Sequence, residues 1–455
     1  MHYRYAFTNR YFNLECRVKY GVILSNAYRT HYINELNGDM DGKEVTVAGW
    51  VHETRNIGKI VFLLVRDHSG IVQVTAKEGV TAPEVMKAMD LQKESVVVVK
   101  GMVKKNQQAK LGYELSPISV TNLNPLSAGI PFEVTGKVPA DIDVRLNYRY
   151  IDLRRKETTA IFNIQSSILR GFRNFALKNK FEEIRPPSIV EAATEGGADL
   201  FSIDYFEKKA YLAQSPQIYK QLAVIGGMDR VFMAVPVFRA EKHNTVFHLN
   251  ESTQMDIEMG FANHDDAIFM LKEAFGSIID SVLESNKEDL ETLGINLTKP
   301  SIDVVAYKDA LKKLSANGSR IEFGQDFSRE DEAILTKEYG EAVIIKEYPT
   351  SIRAFYSMPN EKDPEISNSY DLIYKGLEIS SGAQRIHLPK LLEEALTKRG
   401  LNPKDFEFYI NAFRMGAPPH AGWSLGLERI TMKITGSSNI RECTMFPRDR
   451  DRLTP

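Results

Sequence analysis

The sequence predicts an α+β chain of two main domains. A small five-stranded β-barrel comes first, then a larger domain whose mixed, mainly antiparallel sheet is flanked by helices. Three observations predict this. Between Tyr28 and Asn124, short β-branched runs are broken by Gly-bearing turns such as His68-Ser69-Gly70. Residues 124–143 lose periodicity and carry Pro125, Pro131 and Pro139. From Leu146 onward, helically spaced apolar residues and strand-length apolar runs alternate to the C-terminus.

A chain of 455 residues suffices for two or three domains with a large core. Apolar content of 43% and charged content of 26% are those of an ordinary globular protein. The formal net charge of −2 leaves nucleic-acid binding to local patches. Cys16 and Cys443, far apart, exclude a disulfide framework and a zinc site and suit a reducing cytosol. No apolar run approaches the ~20 residues that span a bilayer, so a cytoplasmic protein is expected. Residues 1–27 are rich in aromatics and arginine and lack a signal-peptide apolar region. They read as an extension without catalytic role, with a basic, aromatic nucleic-acid-touching arm as the sharper alternative.

The barrel strands are "KEVTVAGWVHE", "KIVFLLVRDHSGIVQVTAK", "ESVVVVKGMVKK" and "GYELSPISVTNL", with one helix in "APEVMKAMDLQ". Five short strands with one helical interruption fit an OB-type barrel over residues 28–124. Residues 125–145 read as a hinge, and 146–455 as the second domain. That domain opens on the helical "RLNYRYIDLRRKETTAIFNIQSSILRGFRNFALKNK". "DDAIFMLKEAFGSIIDSVLESN" reads as an amphipathic helix capped by Asn263 or Asp265. "RVFMAVPVFRAE", "TQMDIEMGF", "SYDLIYKGLEIS" and "FEFYINAF" read as its strands.

No Gly-x-Gly-x-x-Gly follows a strand, and no Walker A run, Ser-His-Asp elbow or His/Cys metal cluster is present. Three other stretches carry chemistry. In "VFRAEKHNTVFHLNESTQMDIEM", Arg239 ends an apolar strand, where its fork suits an α-phosphate; the plainer reading pairs it with Glu241. In "GAPPHAGWSLGLERITMKITG", Gly416, Gly422 and Gly426 bracket a strand that a flat ligand could approach, and Arg429 opens the following helix. In "SYDLIYKGLEISSGAQRIH", a hairpin at Lys375-Gly376 would bring Asp371 and Glu378 together. Two hard oxygens beside a polyphosphate suit Mg²⁺. Arg385 lies beyond what reads as a Ser-Ser-Gly turn.

Together these stretches resemble the class II aminoacyl-tRNA synthetases, and closely the aspartyl-tRNA synthetases of archaeal and eukaryotic type, over about Tyr28 to Pro455. "FEEIRPPSIV" resembles motif 1, with Pro187 at the dimer-interface proline. "FRAEKHNT" with the following glutamate resembles motif 2, and "SLGLERI" motif 3. The closing "IRECTMFPRDRDRLTP" is also typical. The resemblance implies ATP, L-aspartate and tRNA-Asp as substrates, Mg²⁺ as cofactor and a homodimer. It implies that Arg239 holds the α-phosphate, Arg429 the γ-phosphate end, and Asp371 and Glu378 the metal. ATP contacts would also come from Glu241, His248, Leu249, Glu251 and Gly426. In the aspartate pocket, Glu195 would contact the α-amino group with Asp256. Ser215, Gln217 and Ser381 would line the pocket, and Lys220 and Arg385 would take the side-chain carboxylate, with His387 facing it. On the barrel, Phe62 would stack an anticodon base while Arg55 and Gln73 read base edges.

Two departures stand out. Val246-Phe247 replaces the arginine that relatives carry before His248, and Ser252 replaces the adenine-stacking aromatic after Glu251. His52, where discriminating relatives carry tryptophan, implies that tRNA-Asn is charged as well. The rivals are an asparaginyl-tRNA synthetase, expected to carry glutamate in place of Ile386, an asparagine synthetase-like paralogue, which lacks the barrel, and a non-catalytic nucleic-acid-binding module built on a dead synthetase.

Overall fold

The computed structural model describes residues 28–191, 200–242 and 245–455. They fall into two compact units, divided between Pro131 and Phe132. The extension 1–27, with Cys16, lies outside the described residues, as does Glu195.

The first unit is a closed barrel of five strands. β1 (Glu44–Ile57), β2 (Ile60–Arg66) and β3 (Ile71–Lys77) meander, α1 (Pro83–Ala88) follows, and β4 (Val96–Lys105) and β5 (Tyr113–Asn124) complete it in the order β1-β2-β3-β5-β4. Alternation decides which side chains enter. Val45, Val47, Leu63, Val65, Val72, Val74, Val97 and Val99 are inside and all but inaccessible.

The second unit begins with α2 (Ile142–Asn147), α3 (Arg149–Asp152) and α4 (Lys156–Lys178). The segment expected to be helical is thus three pieces. Buried Arg149 donates to Asp152 (2.6 Å) and to the carbonyls of Arg441, Glu442, Thr444 and Met445, which ties the break to the C-terminal segment. Then come β6 (Glu182–Glu183), β7 (Ile189–Val190), β8 (Ser202–Tyr205), β9 (Lys208–Leu212), α5 (Gln217–Ile225), β10 (Arg230–Phe238) and β11 (Glu251–Gly260). After them follow α6 (His264–Ser285), α7 (Lys287–Leu293), β12 (Ile302–Ala306), α8 (Tyr307–Ala316), α9 (Arg329–Tyr339), β13 (Ala342–Lys346), β14 (Ser369–Tyr374) and β15 (Glu378–Gln384). α10 (Pro389–Lys398), α11 (Glu407–Arg414), β16 (His420–Gly426) and α12 (Leu427–Thr435) end the fold.

An eight-stranded sheet runs β12-β13-β14-β15-β16-β11-β10-β6 and is antiparallel except at its two outer pairs. α4 and α6 cover one face through Ile164, Ile168, Phe172, Phe275 and Ile279, which pack with Trp423 and Tyr374 of the sheet. Asn263 caps α6 as expected, accepting from the amides of Asp265 and Asp266, while Asp266 accepts from Asn263.

Two expectations fail. "FEFYINAF" is α11 with the 3-10 turn before it, not a strand. Phe406, Tyr409, Ile410 and Phe413 recur at the helical interval and are buried together, so the period of 3.6 outweighs the aromatic content. The Ser-Ser-Gly of 380–382 is no turn but the middle of central strand β15, paired with β14 and β16. Gly382 stands there because a Cβ would lie 2.5 Å from the Tyr370 ring. The hairpin at Lys375-Gly376 does form, with φ of 47° and 72°.

Candidate active site

Two cavities open on the sheet face away from α4 and α6's core. The first, about 250 Å³, is bounded by Arg239, Glu241, Phe247, His248, Glu378 and Arg429, with Leu249, Ser252, Gly426 and Glu428 also in its wall. The second, about 260 Å³, is bounded by Ser215, Gln217, Arg353, Tyr356, Ser357 and Arg385. Arg239, Gln254, Ser381 and Ser424 belong to both walls, so the cavities adjoin across one arginine.

Strand order builds this junction. Arg239 directly follows β10, and its main-chain N–H donates to Asn250. The Asn250 amide donates to the carbonyls of Arg239 (2.7 Å) and Glu241 (3.0 Å), so it clips the strand-to-strand loop at its base. Ser424 of β16 faces Ser381 of β15 on one side and Asp256 of β11 on the other. At the far end of the first cavity, Arg429 Nη1 donates to the Glu378 carbonyl (2.9 Å) and lies 3.7 Å from its carboxylate. Burial and Asp371 push the Glu378 carboxyl up against the pull of Arg429 and Arg353.

The base of the second cavity is an ionic network. Arg385 Nε and Nη2 donate to the two oxygens of Glu258, at 2.9 and 3.2 Å. Lys220 Nζ donates to Asp256 (2.8 Å) and to the Trp423 carbonyl (3.3 Å), and lies 3.5 Å from Glu258. Burial works to raise the Glu258 carboxyl, but Arg385 and Lys220 outweigh it and hold it below the usual range. Beside this network, Gln217 and Tyr409 donate to Gln221, whose amide donates to His420 Nε2 (2.8 Å). His420 Nδ1 then donates to the Pro418 carbonyl (2.8 Å).

The structure therefore brings Arg239, Glu241, His248, Leu249, Ser381, Glu378, Gly426 and Arg429 together, and Ser215, Gln217 and Arg385 beside them. Several other candidates lie elsewhere. Both Asp371 oxygens are taken by Arg353, at 2.5 and 2.7 Å, so Asp371 is not a free metal ligand. Lys220 and Asp256 are wholly buried against each other and reach neither wall. His387 is outside the second cavity's wall, its ring held neutral by burial. Ile386 packs into a separate apolar cluster with Ile218 and Tyr409 and is in neither cavity wall. Glu251 is exposed at the start of β11, and the wall takes Ser252, Thr253 and Gln254 instead. Sequence reasoning missed Glu258, Arg353, Asn250 and Glu428. Only Glu258, in the same strand as Asp256 and two residues on, carried a signal, because β alternation puts both on one face.

No group of three or more His, Cys, Asp or Glu side chains that could hold a metal occurs among the described residues. Mg²⁺ commonly uses one or two carboxylates plus substrate phosphates and water. Glu378, in the wall of the first cavity, fits that donor set, while the Ser381 hydroxyl in the same wall accepts from Arg353 Nη2 (2.8 Å).

On the barrel, Arg55, Phe62 and Thr75 are cross-strand neighbours, and Gln73 lies two residues from Thr75 on the same face. Gln73 Nε2 donates to Glu114 (2.9 Å), and Arg55 to Glu53 (2.5 Å). His52 sits in a β-bulge of β1. Arg66, itself bidentate to Glu94, donates to His52 Nδ1 (3.2 Å). Burial and then Arg66 lower the His52 pKa, so the ring is neutral.

Residues 141–450 match the family described as tRNA synthetases class II (D, K and N), and residues 45–123 the OB-fold nucleic acid binding domain. The chain is 46% identical over 430 residues to an aspartate–tRNA(Asp/Asn) ligase of Methanocaldococcus jannaschii, covering 94% of this chain and 98% of that one. It is 45% identical over 426 residues to an aspartate–tRNA(Asp) ligase of Thermoplasma acidophilum, covering 93% and 99%. Among solved structures, an asparaginyl-tRNA synthetase of Pyrococcus horikoshii with asparaginyl-adenylate matches with a TM-score of 0.89 at 32% identity, covering 93% of this chain and 99% of that one. An aspartyl-tRNA synthetase of Entamoeba histolytica matches with a TM-score of 0.84 at 33% identity, covering 93% and 92%. The chain belongs to the class II aminoacyl-tRNA synthetases and, within them, to the aspartyl-tRNA synthetases of archaeal and eukaryotic type.

Proposed function

We propose that the protein activates L-aspartate with ATP and transfers the aspartyl group to the 3′-terminal adenosine of tRNA-Asp, with tRNA-Asn as a second acceptor. The observation that carries this reading is Arg239, which lies in the walls of both cavities. An aspartate in the second cavity and an ATP in the first meet at that guanidinium. The aspartate α-carboxylate oxygen attacks the α-phosphorus, and pyrophosphate leaves. A ribose hydroxyl of the tRNA then attacks the aspartyl carbonyl, and AMP leaves. Arg239 lowers the first barrier by neutralising charge that grows on the α-phosphate, and both cavities lower it by holding reactants in line.

Arg429 takes the γ-phosphate end. Glu378 would hold Mg²⁺, which would neutralise charge on the departing pyrophosphate. Arg385, oriented by Glu258, supplies the cation that a side-chain carboxylate needs and an amide does not. Ser215 and Gln217 line the remaining wall, and Glu195 takes the α-ammonium side. The barrel reads the anticodon by stacking on Phe62 and by hydrogen bonds from Arg55 and Gln73. Neutral His52 in place of an indole relaxes the choice between the two tRNAs. Homodimerisation through the edge strand β6 and exposed Pro187 fits the same reading.

The test is aminoacylation of tRNA-Asp and tRNA-Asn transcripts with aspartate and, separately, asparagine. The expected result is aspartate on both tRNAs. Asparagine as the preferred amino acid would overturn the assignment, and charging of tRNA-Asp alone would overturn the relaxed tRNA choice.

A further inference from the structure

The Glu378–Arg429 end of the first cavity carries more charge than the roles above use. α9 delivers two of the extra groups. Its start is fixed by Ser328, whose hydroxyl accepts from the Asp331 amide (3.2 Å) while Asp331 accepts from Ser328 (3.0 Å). Arg329, the first helical residue, lays its guanidinium 4.1 Å from the ring centre of Phe247, a wall residue of the cavity. Arg329 Nη1 is buried without a hydrogen-bond partner, and so is Glu332 Oε2, one turn along the same helix. Buried polar atoms are nearly always satisfied, so the Arg329 donor beside this cavity calls for a ligand that accepts a hydrogen bond.

The surrounding charges say which ligand. Burial lowers the Arg329 pKa, and Arg429 lowers it further, while Glu332 and Glu378 oppose them. Lys433, one turn after Arg429 on α12, is lowered by burial and by Arg329. Three cations, Arg329, Arg429 and Lys433, thus lie close to Glu332 and Glu378. Val246-Phe247-His248 places no arginine or lysine of its own in that part of the wall, and the arginine stacked on Phe247 comes from a segment some 80 residues further along the chain.

We propose that Arg329 is a further phosphate-binding residue of this site and meets the pyrophosphate end of ATP beside Arg429. The inference rests on the adenylation reading above. A planar guanidinium with a free donor suits a terminal phosphate, and stacking on Phe247 holds it in place before the ligand arrives.

The test is ATP–pyrophosphate exchange by the full-length enzyme and its Arg329→Ala and Arg329→Lys variants, with aspartate as the amino acid. Wild-type exchange is the entry condition; without it the underlying reading falls and takes this inference with it. For Arg329→Ala, KM for ATP and for pyrophosphate is expected to rise by about tenfold or more, as for loss of a hydrogen bond to a charged group. KM for aspartate stays within about twofold, and Arg329→Lys recovers part of the loss. Binding of a non-hydrolysable aspartyl-adenylate analogue, which has no pyrophosphate, stays unchanged. Unaltered KM for ATP and pyrophosphate would overturn the proposal. So would analogue binding that weakens in step with ATP, since Arg329 would then only prop Phe247.

Discussion

Glu258 holds Arg385 through two parallel hydrogen bonds, and neither residue is more than 3% exposed. The pair is therefore a prearranged cation rather than a loose surface contact. Truncating one member of a buried pair leaves the other uncompensated, at about 3–5 kcal/mol. Glu258→Ala is expected to lose stability on that scale and to raise KM for aspartate much more than KM for ATP, as read by urea unfolding and ATP–pyrophosphate exchange. Arg385→Ala should abolish aspartate activation; normal exchange in that variant would remove Arg385 from the pocket. Because the Glu258 carboxyl is depressed in the fold, its stabilisation is present above the unfolded pKa of 4.5 and is lost as pH falls through the folded value.

Gly382 and Tyr370 are partners across β15 and β14. Gly382→Ala would drive a methyl group into a fully buried ring, and overpacking of this kind costs about 1–3 kcal/mol. The substitution should lower the thermal midpoint and the activation rate together. Adding Tyr370→Leu should restore part of the midpoint. A Gly382→Ala enzyme with unchanged melting would refute the close approach.

Glu428 accepts from the Thr253 amide at 2.9 and 3.1 Å in the wall of the first cavity. Burial pushes its carboxyl from 4.5 to about 7. The folded state then holds a proton that the unfolded state releases. Stability from this group is present below pH 4.5, is lost as pH rises from 4.5 to about 7, and changes little beyond. The loss is on the order of 3 kcal/mol. Glu428→Gln should flatten that slope in unfolding curves taken at pH 5 and pH 8, and an unchanged slope would show that another group carries it.

Phe62 and Gln73 share the exposed face of the barrel, and Glu114 steadies Gln73. Phe62→Ala is expected to remove about 1–3 kcal/mol of base stacking and to raise KM for tRNA accordingly. Glu114→Ala should act in the same direction more weakly. Neither change should alter ATP–pyrophosphate exchange measured without tRNA. An effect on exchange would argue against a role confined to tRNA.

Much of this molecule is legible in the chain because local rules govern it. The barrel follows from alternation, the α6 cap from Asn263 and Asp266, and the β14–β15 hairpin from Lys375-Gly376. Single cations such as Arg239 and Arg429 were legible from their places at element ends. Their partners were not. Glu258 meets Arg385 only because β11, β16 and β15 are neighbours in the sheet, although 127 residues separate the two in sequence. The Arg353 partner of Asp371 is hidden for the same reason, since Arg353 arrives from a loop whose position no local pattern encodes. The stretch 378–384 was misread because small residues in a strand look like a turn until Tyr370 supplies the missing volume.

Ser380, Ser381 and Gly382 of β15 and Ser424 of β16 form the floor on which both cavities stand, and each strand is hydrogen-bonded on both sides. Amides there can exchange with solvent only when the middle of the sheet opens, which approaches global unfolding in cost. The floor is therefore expected to be the slowest-exchanging part of the site. A base that opens only with the whole sheet keeps Ser381, Gly382 and Ser424 in one fixed register beneath both cavities.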